Sequence, residues 1–272
     1  MMDRYAVLGF PVGHSISPFI HLQFAKQTAQ QLSYEALEVK PEAFDEVIVD
    51  FFQSAGKGVN CTVPLKELAF EKADQLTARA QFSGAVNTLK LMQDGSLLGD
   101  NTDGIGLITD LRENLGLSLQ GKRILVLGAG GAARGILGPL LEATPSELWL
   151  ANRTVEKAQA LARVFLSKGR VQACGYEALA GESFDLIINA TSMSLSGSLP
   201  PLPKNILSSG AVCYDLAYSK QTTAFTAWGK KEGAALSVDG LGMLVEQAAQ
   251  AFYIWRGVMP ETKKLLNKLR RD

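Results

Sequence analysis

The stretch RILVLGAGGAA, Arg123 to Ala133, decides the reading of the whole chain. Its first five residues are mostly branched and apolar, as in a short buried strand, and the glycines that follow break it into a turn. From Ala132 to Leu141 the pattern is helical. Strand, glycine-rich turn and helix, in that order, are the context in which G-x-G-x-x-A binds a dinucleotide. Gly128 permits the tight turn, Gly130 lets the backbone approach a pyrophosphate, and Ala133 lets helix and strand pack closely. Ala129, Gly131 and Ala132 complete the loop, whose free N–H groups attract phosphates at the positive end of the helix.

Working downstream, Leu148–Ala151 is the second strand, and it ends at Asn152-Arg153-Thr154. An NAD enzyme usually carries Asp or Glu there, bonded to the ribose 2′-hydroxyl. This chain has no acid at that place. Arg153 can grip a 2′-phosphate instead, and Lys157 lies one helical turn further on. The expected cofactor is NADP. A helix from Val155 to Leu166 and strands at Val171–Cys174, Leu186–Asn189 and Val212–Asp215 continue a doubly wound α/β pattern. Ser194–Pro203 reads as a surface loop. The tail from Leu241 to Arg270 reads as helical, with Leu241 to Trp255 returning to the first domain.

Working upstream, strand and helix also alternate. Tyr5–Phe10 reads as a strand. A helix starts at Ser17-Pro18, with serine as cap and proline in the first turn, and runs to about Gln31. Tyr34–Val39 is a strand, Pro41–Ser54 a helix, Gly58–Thr62 a strand, and Leu65–Leu76 a helix. A hairpin turns at Asp94-Gly95. Gly104 to Asn114 reads as the next helix. The expected fold is α/β in two domains. Residues 1–102 with 242–272 form an α/β substrate domain completed by C-terminal helices, and 103–241 a Rossmann-type NADP domain.

Bulk composition agrees with two cores, since 47% of the 272 residues are hydrophobic and 20% charged. Lys plus Arg equals Asp plus Glu, so the basic excess of a nucleic-acid binder is missing. Cys61, Cys174 and Cys213 form no CxxC or zinc spacing and read as small buried residues. The only histidines, His14 and His21, support neither a His-based triad nor a metal cluster, so no metal is expected. His21 is read as facing solvent or packing on its own helix. With no leader-like start and no membrane-length apolar run, the expectation is a cytoplasmic protein without membrane or nucleic-acid partners, monomeric or homodimeric.

Four polar segments follow or separate the upstream strands: His14-Ser-Ile-Ser-Pro18, Asn60-Cys-Thr-Val-Pro-Leu-Lys66, Gly84-Ala-Val-Asn-Thr88 and Gly99-Asp-Asn-Thr-Asp-Gly104. In open α/β sheets ligands bind at such places. Ser15 and Ser17 at a helix start suit a carboxylate. Thr62, Asn87 and Asp103 suit hydroxyls. Lys66 offers an ammonium for a developing alkoxide, as proton donor or as charge.

Together with GAGGA, Ile188–Ser192 and Asp239–Ala249, these segments resemble the shikimate dehydrogenase family along essentially the whole chain. The resemblance implies reversible NADPH-dependent reduction of 3-dehydroshikimate to shikimate. It implies Lys66 and Asp103 as the catalytic pair and Ser15 and Ser17 on the substrate carboxylate. Thr62, Asn87, Asp103 and Gln247 would hold the ring hydroxyls, with Tyr218 near the carboxylate. Thr191, Leu216 and Gly240 would lie along the cofactor. The chain departs from the commoner pattern at Leu65, Ala217 and Met193, none of which carries a named catalytic group. Quinate acceptance stays open on these motifs.

Overall fold

The computed structural model describes residues 2–271 and divides into two compact units. The first holds the chain up to Leu107 and again from Leu244, and the second is Ile108–Met243. The sequence reading places these crossings a few residues earlier, at 102/103 and 241/242. They fall later because Gly106 is pressed against Gln247: a Cβ on Gly106 would lie 2.6 Å from the Gln247 Cβ and 2.7 Å from its backbone nitrogen. The turn carrying Asp103 therefore packs within the first unit.

The first unit runs β1 (Asp3–Gly9), α1 (Ser17–Gln27), β2 (Leu32–Glu38), α2 (Phe44–Gln53), β3 (Gly56–Cys61), α3 (Lys66–Lys72), β4 (Gln75–Leu76), α4 (Ala78–Ser83), β5 (Thr88–Leu91), β6 (Leu97–Asp100) and α5 (Asp103–Thr109). The sheet order is β2-β1-β3-β5-β6-β4. β1, β2 and β3 are parallel, whereas β5 runs antiparallel to both β3 and β6. The C-terminal ends of β1, β3 and β6 thus share an edge with the start of β5. Ala6, Leu8, Val59, Cys61 and Leu89 alternate into a core closed by Phe44, Ile48 and Phe51.

Three expectations change here. α1 stops four residues before Gln31, where Ala29 takes a left-handed φ of 54°. Its N-cap is Ile16, with no side-chain capping bond, so Ser17 is the first helical residue and not the cap. The helix expected over Leu65–Leu76 ends at Lys72; β4 intervenes, and α4 follows. Thr77 caps α4 by accepting from the Ala80 N–H, and Gly84, at φ 63°, ends it.

The second unit takes over within α5 at Ile108 and continues through a π-helical turn, Asp110–Asn114, then β7 (Arg123–Leu127), α6 (Gly131–Glu142), β8 (Glu147–Ala151), α7 (Val155–Val164), β9 (Val171–Cys174), β10 (Phe184–Asn189), β11 (Leu207–Asp215), α8 (Ala224–Lys231) and β12 (Leu236–Val238). Every strand pair is parallel. The order β12-β11-β10-β7-β8-β9 is the doubly wound 3-2-1-4-5-6 arrangement read from its other edge. The loop expected over Ser194–Pro203 is not wholly superficial. Ser194 is buried and accepts from the Asn189 side chain at 3.0 Å.

α9 (Leu241–Arg256) and α10 (Lys263–Leu269) end the chain, parted by Gly257 at φ 70°, so the tail is two helices. From Leu244 onward α9 packs on the first sheet. The Trp255 indole lies where a Cβ on Gly58 would be, 2.3 Å away, and donates to the Leu89 carbonyl at 3.0 Å. His21 is 1% exposed, so of its two readings, solvent or packing on its own helix, solvent is excluded, and its ring meets Phe24 of the same helix edge-on. It stacks on Tyr34 with ring centroids 4.2 Å apart and planes 5° apart. Among the described residues no helix is long and apolar enough to cross a membrane, and no group of His, Cys, Asp or Glu could hold a metal ion.

Candidate active site

Apart from Tyr218, the substrate-side candidates lie at the shared edge of the first sheet. Thr62 follows β3; its N–H bonds the Leu8 carbonyl at 2.8 Å, which ties the loop to β1. Its methyl lies over Gly9, where a Cβ would come within 2.4 Å, so glycine is required there. Ser15 and Ser17 lie after β1, and the Ser17 N–H donates to Ser15 Oγ at 3.2 Å. The two serines are thus held side by side at the start of α1, where uncapped N–H groups point outward.

Lys66 opens α3, and its ammonium is bonded to Oδ2 of Asp103 at the start of α5. Both side chains are largely buried, 13% and 7% exposed. Asn87 donates from Nδ2 to the other carboxylate oxygen of Asp103 at 2.8 Å and to Thr102 Oγ1 at 2.9 Å. Gln247 comes from α9: its Oε1 lies 3.4 Å from Asn87 Nδ2 and accepts from Thr102 at 3.3 Å. Lys66, Asn87, Asp103 and Gln247 are therefore gathered into one connected group. The Cys61 thiol beside them is pushed up to about 12 by burial, which the Lys66 charge only partly opposes, so no thiolate nucleophile is on offer.

The segment bearing Asp103 is pinned from behind by residues outside the candidate set. Arg79 grips buried Asp100 through two bonds of 2.6 and 2.7 Å, and Thr77 adds a third at 2.7 Å. Asn101 holds the Ala85 carbonyl at 2.9 Å, and its Oδ1 accepts from the Asp103 N–H at 3.1 Å. Such two-pronged arginine–carboxylate pairs fix geometry as well as charge. A buried polar run at a strand end is the signal in the sequence for this support.

The cofactor-side candidates lie in the second unit, at the point where strand order reverses between β7 and β10. Gly128 has φ 99°, and a Cβ on it would lie 3.0 Å from Thr191 and 3.2 Å from the Ala190 backbone. Only glycine meets both demands. Thr191 is held by two bonds to Asn189 Oδ1, the hydroxyl at 2.7 Å. Gly130 is the N-cap of α6; no side chain caps that end, and its first turn carries no acid. A Cβ on Gly130 would project into open space before the helix N-terminus, where Ala129, Gly131 and Ala132 also lie.

After β8, the Asn152 amide donates to the Thr154 carbonyl at 2.8 Å and shapes the turn that presents Arg153. Arg153 and Lys157 are exposed. The Arg153 charge reaches Tyr176, where it opposes the upward push of burial on the phenol. Gly240 packs backbone to backbone on Leu216, since a Cβ would lie 2.3 Å from that carbonyl oxygen. Tyr218 follows two residues after Leu216, half-buried in the same unit. A glycine turn, an uncapped helix start and an exposed arginine in place of an acid are the donor set that an NADP molecule requires.

Comparison with known proteins agrees with this geometry. Family models match at residues 7–89 (shikimate dehydrogenase substrate binding domain), 110–196 (shikimate / quinate 5-dehydrogenase) and 240–270 (shikimate 5′-dehydrogenase C-terminal domain). Shikimate dehydrogenase (NADP(+)) of Methylococcus capsulatus is 56% identical over 99% of this chain and 97% of its own. That of Alkalilimnicola ehrlichii is 53% identical over the full length of both chains. The solved structure of shikimate 5-dehydrogenase from Thermus thermophilus, in complex with NADP(H) and shikimate, aligns with TM-score 0.87 and 36% identity over 99% of both chains. With the fold, the motifs and full-length identity above one half all in agreement, the chain belongs to the NADP-dependent shikimate dehydrogenase family.

Proposed function

We propose that the chain catalyses reversible NADPH-dependent reduction of 3-dehydroshikimate to shikimate, with Lys66 and Asp103 as the catalytic pair. The observation that carries this reading is the largely buried Lys66–Asp103 ion pair, with Asn87 on the free oxygen of the carboxylate. When bound, NADPH supplies the hydride. The protein must then supply a proton and bear the charge that develops on the ketone oxygen. Lys66 does both: Asp103 aims its ammonium, which donates the proton from Nζ as the alkoxide forms. In the oxidative direction the same Nζ, as the neutral amine, takes the hydroxyl proton.

Around this pair, Ser15 and Ser17 take the substrate carboxylate. Thr62, Asn87, Asp103 and Gln247 take the ring hydroxyls. The second unit takes NADP. Gly128 to Ala132 lie along the pyrophosphate, and Asn152, Arg153, Thr154 and Lys157 surround the 2′-phosphate. Thr191, Leu216 and Gly240 line the path to the nicotinamide.

The test is absorbance at the reduced-nicotinamide band with shikimate and NADP, beside quinate and NAD. Reduction with shikimate and NADP is expected, and Lys66→Ala should abolish it while still binding NADPH. An active Lys66→Ala variant would remove the catalytic-pair reading.

A further inference from the structure

We propose that Thr88 is a positioning residue for the Lys66–Asp103 pair, because its hydroxyl anchors to the sheet the Asn87 carboxamide whose NH2 end faces Asp103. The inference rests on the reading that Asp103 takes part in the chemistry. The two ends of a carboxamide have nearly the same shape, so only hydrogen-bond partners fix their direction. Asn87 faces a carboxylate on Asp103, which can only accept, so its NH2 end must point there.

The opposite end meets Thr88. Asn60 donates from Nδ2 to Thr88 Oγ1 at 3.1 Å, which uses the hydroxyl as acceptor. The single Thr88 proton then goes to Asn87 Oδ1, 2.9 Å away. Asn60 is itself held in one orientation: its Oδ1 accepts from the Tyr34 hydroxyl at 2.7 Å, and its Nδ2 also meets the Asn87 backbone carbonyl at 3.1 Å. Donors therefore point one way along the run Tyr34, Asn60, Thr88, Asn87, Asp103. All but Tyr34 belong to the buried polar set, and Thr88 is 0% exposed.

The Thr102 N–H and hydroxyl also donate to Asn87 Oδ1, at 2.9 and 3.2 Å, but Thr102 is part of the segment that carries Asp103. Thr88 belongs to β5 and is paired on both sides, with Asn60 on β3 and Asp100 on β6. It is the contact that refers the Asn87 amide to the rigid sheet.

The test is Thr88→Val, which keeps shape and loses the hydroxyl, beside Thr88→Ser, which keeps the hydroxyl. Thr88→Val should lower kcat/KM for shikimate about tenfold, the effect of leaving one buried amide oxygen short of a donor. Shikimate KM should rise as part of that loss, and KM for NADP should stay at the wild-type value. Thr88→Ser should restore kcat/KM to within about threefold of wild type. The proposal is overturned by wild-type kcat/KM in Thr88→Val. It is also overturned by a fall in kcat alone that tracks a smaller folded fraction, or by equal impairment in Thr88→Ser. If Thr88→Val does not fold, Thr88→Ala is read by the same criteria. Lys66→Ala is run in parallel. Activity there would remove the underlying reading, whereas its loss, with normal kinetics in Thr88→Val, would overturn the positioning role alone.

Discussion

The candidate sites of the two units are built from different materials. In the first, the candidate site is built from side chains already committed to one another: Lys66 to Asp103, Asp103 to Asn87, Asn87 to Thr102 and Gln247. In the second it is built from backbone. Gly128 and Gly240 are shaped by close approach, α6 starts with uncapped N–H groups, and the candidate charges, Arg153 and Lys157, stand exposed. A small polar ring must be told from its near relatives, and buried partners left unpaired by a wrong ligand supply that discrimination. A dinucleotide is recognised mainly by phosphate charge, which a loop and a helix start can meet with few side chains.

The comparison breaks if a change in one unit alters the other unit's task. Asp103→Asn should produce the largest effect, a fall in kcat of about 10²–10⁴, the range of a lost general acid–base contribution. Its NADPH affinity, followed by cofactor fluorescence, should stay within about twofold of wild type. A comparable loss of NADPH binding would show that the units do not divide the work in this way. Arg153→Ala should raise the dissociation constant for NADP by about 10–150-fold, as expected for one charge-assisted contact, and leave that for NAD unchanged. Titration calorimetry with both cofactors decides it. Equal losses for the two would move the 2′-phosphate contact elsewhere.

The same contrast explains what the sequence made legible. Backbone-built sites leave glycines at fixed spacing, so the turn at Gly128 and the Asn152-Arg153-Thr154 corner could be read directly. Side-chain networks leave no such spacing. Asn60 and Thr88 stand opposite each other only because β3 and β5 pair antiparallel in that register, and register cannot be read from either strand alone. Arg79 lies on α4, a helix of six residues too short to show a periodic face. Its Thr77 cap and Gly84 stop were nonetheless present in the sequence. Of the two readings of His21, solvent exposure fails for another reason. Phe19 and Leu22 are exposed on this helix, whereas Ser17, Ile20, His21, Phe24 and Ala25 form the buried stripe at helical spacing.

His21 sharpens the comparison through acid stability, with a smaller effect. Neither ring nitrogen meets a partner in good hydrogen-bond geometry, and burial pushes the imidazole down to about 3, with the nearby Asn60 side chain opposing. In the unfolded chain a histidine titrates near ~6.5. Between these values the unfolded chain binds a proton that folded His21 refuses, so stability falls as pH drops below ~6.5, by at most about 1.4 kcal/mol per pH unit. Above ~6.5 both states are neutral and the slope vanishes. The second unit carries a buried group of the opposite sign. Burial raises the Asp215 carboxyl, with its hydrogen bonds opposing, so folding there takes up a proton as pH falls and its cost eases. Acid should therefore strain the substrate unit through His21. His21→Phe keeps a flat ring against Tyr34 and removes the titration. Its melting temperature, compared with wild type at pH 7.5, 6.5, 5.5 and 4.5, should show a constant offset at the first two values and a growing advantage at the last two. Parallel curves throughout would mean that the imidazole gains a proton inside the fold without penalty, and that the core beneath Asn60 admits charge as readily as the exposed cofactor corner does.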